Sequence, residues 1–153
     1  MKNDSALFFT CSLLEFIARR QKLKRGDAAS AVGEKGLLRV YEYADVLHCE
    51  PIAAVADEVV TLCGVPEGDF DNVAECKYEV PDYWAIGEVF SRLIEDVLDF
   101  KAELCGKQGI IKTLLEVYSS GTAAAISNYN SDFFYQPRDY IAECYKAGKI
   151  LDD

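Results

Sequence analysis

Three places in the chain hold side chains able to do chemistry. His48 and Cys49 stand side by side, and an imidazole next to a thiol is the smallest arrangement that activates a cysteine nucleophile. Such a centre needs a third group to orient the base, and neighbours in sequence rarely point at one another. His48 therefore reads as a loop histidine bonded to a backbone group. Glu95, Asp96, Asp99 and Glu103 bring four carboxylates to one flank of a helical pattern, Glu95 and Asp99 four residues apart. Paired carboxylates on a helix suggest a di-metal centre, but bundle sites of that type also use Glu-x-x-His motifs, and His48 is the sole histidine. A solvated acidic face, able to meet a basic partner, is the expectation. The third place is Ser127 to Arg138, where Asn128, Asn130, Ser131 and Asp132 interleave with Tyr129, Phe133, Phe134 and Tyr135. Of the seventeen Tyr and Phe residues, seven fall between Tyr118 and Tyr145, a composition met at interface hot spots. Phe133 and Tyr140 suit a core, whereas Tyr129, Asn130, Phe134, Tyr135 and Arg138 are candidates for recognition.

Cofactor and metal chemistry find little support. The six cysteines include no Cys-x-x-Cys pair, and Cys11, Cys63, Cys105 and Cys144 fall within or at the ends of helical patterns, where a free thiol behaves as a small hydrophobe. They are read as reduced thiols, and no cofactor, metal or catalytic residue is assigned.

At 153 residues the chain suffices for one domain or two small ones, without need of a metal or disulfide. No run approaches the ~20 apolar residues of a membrane span, and Met1 to Ser5 does not resemble a secretory signal, so a cytoplasmic protein off the membrane is expected. Its net charge of −10 is unevenly placed. Residues 1–63 carry eight basic and nine acidic groups, residues 64–153 eight and seventeen. An acidic surface repels phosphate backbones, so protein partners are expected ahead of nucleic acid.

The elements that must position these residues are helical. Tyr83, Ile86, Phe90, Leu93, Val97, Phe100 and Leu104 recur at steps of three and four, which predicts one long helix from an Asp82 cap to Leu104, about 34 Å in length. Val89, Ile94 and Leu98 widen its stripe beyond a coiled-coil seam. Before it, Asp4 and Ser5 cap a helix to about Leu23 stopped by Gly26; a short helix from Ala28 is closed by Gly36; another opens at Leu37; and Pro51 opens one ending at Gly64. The short-helix, glycine, helix sequence invites comparison with a helix-turn-helix, but Arg39 is the only basic residue on the supposed reading helix, so two packed short helices are expected. Residues 64–81, with Pro66, Gly68, Pro81 and several acidic groups, read as a linker with room for a short strand at Cys76 to Val80. A helix from about Gln108 and one from Pro137 to Gly148 complete the chain. The prediction is an all-α protein of about six helices: a small four-helix unit over 1–63, and a unit over 82–153 built on the long amphipathic helix.

Leu14-Glu15-Phe16, Gly36-Leu37-Leu38 and above all Tyr41-Glu42-Tyr43-Ala44-Asp45-Val46-Leu47-His48 carry a resemblance. The stretch from about Phe9 to Leu62 resembles a small bacterial helical domain family of unknown function encoded beside ADP-ribosyltransferase-like toxins. Cys49 stands where that family usually has a threonine. The resemblance implies a non-catalytic protein-binding module acting as an antitoxin-like or accessory partner, with Tyr43, Asp45 and His48 added to Glu95, Asp99, Tyr129, Asn130, Phe134, Tyr135 and Arg138 as partner-binding candidates. The alternative is a small enzyme or nucleotide-binding protein whose site is the Ser127 to Arg138 loop.

Overall fold

A computed structural model describes residues 4–101 and 106–151; Glu103, Leu104 and Cys105 lie outside the described residues. The chain forms α1 (Ser5–Gln21), α2 (Arg25–Glu42), α3 (Ala44–Leu47), α4 (Ile52–Cys63), α5 (Asn72–Glu75), α6 (Tyr83–Lys101), α7 (Gly106–Tyr118), α8 (Gly121–Ser127) and α9 (Arg138–Ala147), with a 3-10 turn at Phe133–Tyr135. The all-α class holds, and no strand occurs among the described residues, so Cys76 to Val80 is irregular. Nine helices stand among the described residues where about six are expected. The surplus comes from α3, α5 and α8, of four, four and seven residues, too short to display a helical period.

Local chemistry sets most boundaries. Asp4 caps α1, its Oδ1 accepting the Leu7 N–H at 3.0 Å, and Asp82 caps α6 by accepting the Ala85 N–H at 2.7 Å. Gly64 and Gly148 close α4 and α9 in the left-handed region, at φ 65° and 75°. Two stops differ from expectation. α1 ends at Gln21 with Lys22 at φ 55°, because the carbonyls of Gln21 and Lys22 are taken by the N–H groups of Gly68 (2.7 Å) and Phe70 (2.9 Å). Hydrogen bonds from a distant segment thus hold a lysine where a glycine is usual. Gly26 lies inside α2, where a Cβ would come within 2.7 Å of the Tyr118 carbonyl oxygen. The break in α2 falls at Gly33 (φ 80°) and not at Gly36.

Tertiary packing then ties the chain's two stretches together. α1 lies along α6 and α2 along α7, and the buried residues from both stretches form one core cluster. A division at 64–81 is therefore not a division of the core. α6 is buried on two fronts. Ile86, Phe90, Leu93 and Val97 follow the expected stripe and Ile94 and Leu98 its expected widening, while Gly87, Ser91 and Glu95 carry the burial on to a second front. At Gly87 the helices touch: a Cβ there would lie 2.8 Å from both Cα and N of Ser12 on α1. Residues 64–81 run over the body, anchored by Gln21 Nε2 donating to the Val65 carbonyl and by Arg19 Nη2 donating to that of Pro81. Asn130 fastens the same segment from the other side, accepting the Lys77 N–H at 2.7 Å and donating to the Glu75 carbonyl at 2.9 Å.

Candidate functional site

Two polar networks absorb several of the candidate residues into the interior. In the first, the buried Glu15 carboxylate accepts from Arg25 Nε and Arg19 Nε, both at 2.7 Å, and from the Tyr129 hydroxyl at 2.6 Å. Arg25 also donates to Ser127 Oγ and, at 2.8 Å, to the Tyr129 oxygen, and its guanidinium lies 4.6 Å from the centre of the Phe90 ring. Burial alone would raise the Glu15 carboxyl, but the charges of Arg25 and Arg19 and the Tyr129 hydrogen bond outweigh it and hold the group below its ordinary value. Burial and the Glu15 charge push Tyr129 up to about 12. Every member has a partner, and the set joins α1, α2 and the 127–138 segment.

The second network corrects the expected acidic flank. Glu95 is 1% exposed: its Oε2 accepts the Asp4 N–H at 2.9 Å and its Oε1 meets Arg138 Nη2 at 3.3 Å. Arg138 grips Asp96 with two nitrogens, and Asp4 in turn accepts from the Tyr41 hydroxyl at 2.6 Å. Glu95 is buried because α6 has a second inward face. It fastens the start of α1 and the start of α9 and is not part of the exposed flank, whereas Asp99 is exposed. Tyr129 is likewise interior, and Phe134 is half-buried with its ring 5.7 Å from Tyr129 and 5.0 Å from Tyr135. Of the loop aromatics, Tyr135 projects outward, 68% exposed.

His48 closes the short α3 with Nδ1 3.0 Å from the Ala44 carbonyl oxygen, so that nitrogen carries the proton and donates. Cys49 Sγ lies 3.9 and 4.0 Å from the two ring nitrogens, nearly equidistant, so neither nitrogen is aimed at it. Among the described residues no three His, Cys, Asp or Glu side chains are grouped to hold a metal ion, and none of the helices is long and apolar enough to cross a membrane.

Two cavities among the described residues are large enough to receive a ligand or a partner's side chains. An apolar groove of about 600 Å³ is lined by Val32 to Val40 of α2 with Tyr43 at its end, by Val55 to Cys63 of α4, and by Val46 and Leu47 of α3. Around it stand Leu62, Val46 and Tyr43, 75%, 63% and 57% exposed. Their proximity gives a contiguous apolar surface. Among the described residues it is covered by nothing. A second, polar cleft of about 700 Å³ lies where the N-terminal turns of α2 face residues 70–75 and the α7–α8 turn, with Lys24, Asp27, Asn72 and Asn128 on its walls.

No protein-family model, curated protein or solved structure matches this chain. Its surfaces are what bear on function. Of the candidates read from sequence, Tyr43 lines the groove, and Asp45 and His48 are exposed on and beside the adjoining α3. Sequence reasoning missed Glu15 and Arg25, although a glutamate one turn beyond Cys11 in an apolar stripe is a visible signal. It also missed Val46 and Leu62, whose signal is that α3 and α4 carry more apolar residues than one buried stripe needs.

Proposed function

We propose that the protein is a non-catalytic protein-binding module that receives its partner in the groove between α2 and α4. The observation that carries this reading is the uncovered apolar patch formed by Tyr43, Val46 and Leu62 around a groove floored by valines. Exposed side chains of this size, gathered rather than scattered, lower the free energy of association by removing apolar surface from water. The Tyr41 to His48 run, which carries the resemblance to the toxin-linked family, supplies three of the groove's lining residues, Tyr43, Val46 and Leu47. Partner identity rests on that resemblance alone: an antitoxin-like complex with an ADP-ribosyltransferase-like protein encoded nearby. Co-expression of the chain with the product of its neighbouring gene tests this. Co-purification with the wild type and its loss with Leu62→Asp is the expected result; capture unaffected by Leu62→Asp would exclude the groove.

A second reading is favoured by the polar cleft, which Ser127, Asn128 and Asn130 of the loop help to line. A small polar ligand such as a nucleotide would bind there. Calorimetric titration with nucleoside mono- and diphosphates, with Asn128→Ala as the control, separates this reading from the first.

A further inference from the structure

If the groove between α2 and α4 receives a protein, as proposed above, its chemistry also specifies the form of the segment bound there. We infer that the occupant is an amphipathic α-helix of two to three turns, contributed by another protein, with an apolar stripe toward the valine floor and carboxylates on the flank facing α2. The floor consists of Val40, Val55 and Val59, all buried and none with a side-chain hydrogen-bonding group. An extended peptide laid on it would leave backbone N–H and C=O groups desolvated, and no strand edge exists among the described residues to pair with them. A helix satisfies its own backbone and needs from the groove only apolar contact.

The walls set the length. Beyond the Gly33 break, the lining from Lys35 to Tyr43 at the end of α2, and that from Val55 to Cys63 on α4, each cover nine residues, about 12 Å from first to last, or a little over two turns. Gly36 keeps the α2 wall low beside α4: a Cβ there would lie 2.9 Å from Val32 Cγ1 and 3.0 Å from Cys63 Sγ. Charge fixes the flank. Lys35 and Arg39 stand one turn apart on the α2 rim, both exposed and in no ion pair among the described residues, although the chain as a whole carries −10. Glu58 on the opposite rim is the groove's acidic residue. A helix bearing Glu or Asp toward Lys35 and Arg39 is complementary, and one bearing Lys or Arg there is repelled. A second copy of this chain is a poor occupant on the same ground: two bodies of −10 repel.

The experiment titrates the isotopically labelled protein with three lactam-bridged 14-residue peptides that share one leucine stripe. The first carries Glu on the α2-facing flank, the second Lys at the same positions, and the third is the first with a central proline. Saturable amide shifts at Lys35, Gly36 and Leu62 are expected with the Glu peptide, at an affinity roughly ten-fold above that of the Lys peptide, as two rim ion pairs turn from attraction to repulsion. The preference should narrow with added salt and reverse in Lys35→Glu with Arg39→Glu. Equal or tighter binding of the Lys peptide, undiminished binding of the proline peptide, or no saturable shift in the groove overturns the inference. A concentration-dependent dimer in sedimentation that Leu62→Asp abolishes would assign the groove to a second copy and overturn it as well. If the peptides fail while Leu62→Asp still prevents capture of the neighbouring gene product, the protein-binding reading stands and the helical occupant falls. If Leu62→Asp leaves capture intact, the reading itself falls.

Discussion

Glu15 Oε1 and Arg25 Nη2 meet at 2.6 Å with both side chains buried, although ten residues and a change of helix separate them in the chain. Two opposite charges withdrawn from water are tolerable only when each finds hydrogen bonds for its remaining atoms, which Arg19, Ser127 and Tyr129 supply here. Removing one partner leaves the other charge desolvated. Arg25→Met and Glu15→Leu are each expected to lose ~3–5 kcal/mol, and the double variant considerably less than their sum. Urea unfolding of the four proteins completes the cycle; additive losses would show that the two side chains act independently.

Buried titratable groups make stability depend on pH at both ends. Glu15 is held below its ordinary value of 4.5, so it contributes stability that is present above about that pH and is lost as the pH falls through its folded value. On the alkaline side Cys11 is raised from 9.0 to about 12 by burial, and Tyr129 from 10.0 to about 12. Groups raised on folding contribute stability that is present below their unfolded values and fades as the pH climbs to the folded ones. The expected profile declines below pH 4.5 and again from pH 9 to 12. Thermal melts across that range should show a shallower alkaline decline in Cys11→Ala and in Tyr129→Phe.

Gly87 permits the contact between α1 and α6. Exposed helical glycine changed to alanine usually gains up to ~1 kcal/mol, since alanine has the better propensity. At Gly87 the sign should invert, with a net loss of ~1–3 kcal/mol, because the added carbon would strike the Ser12 backbone. Gly121, where a Cβ would meet nothing within 4 Å, is the control. Gly121→Ala should be neutral or stabilising in the same denaturant assay.

Glu95 and Leu62 exchange the roles their residue types suggest. Glu95→Lys would set an ammonium beside Arg138 and remove the acceptor of the Asp4 N–H, so a loss of ~3–5 kcal/mol is expected. Leu62→Asp, at an exposed position, should stay within ~0.5 kcal/mol of wild type while abolishing partner capture. Circular dichroism melts of both variants, followed by the co-purification assay, check the pair. A destabilised Leu62→Asp would mean that this leucine packs inward.

The sequence by itself determined what short range controls. The three- and four-residue spacing of Ile86, Phe90, Leu93 and Val97 specified α6, Asp4 and Asp82 announced their helices, and Gly64 and Gly148 closed theirs, because each effect acts within one or two turns. What only the tertiary structure decided depends on groups distant along the chain. Periodicity shows an apolar stripe on α6 widened by Ile94 and Leu98, but the burial reaches Ser91 and Glu95 because a glycine at 87 lets α1 lie against the helix there. Lys22 takes a left-handed conformation because Gly68 and Phe70 bond the carbonyls before and at it. Tyr129 becomes interior because Glu15, 114 residues earlier, accepts a hydrogen bond from its hydroxyl. Leu62 remains exposed because none of the described helices covers it. Residue type and spacing fix which surfaces are apolar; which of them find cover inside the molecule is set by the packing of helices that are not neighbours in sequence.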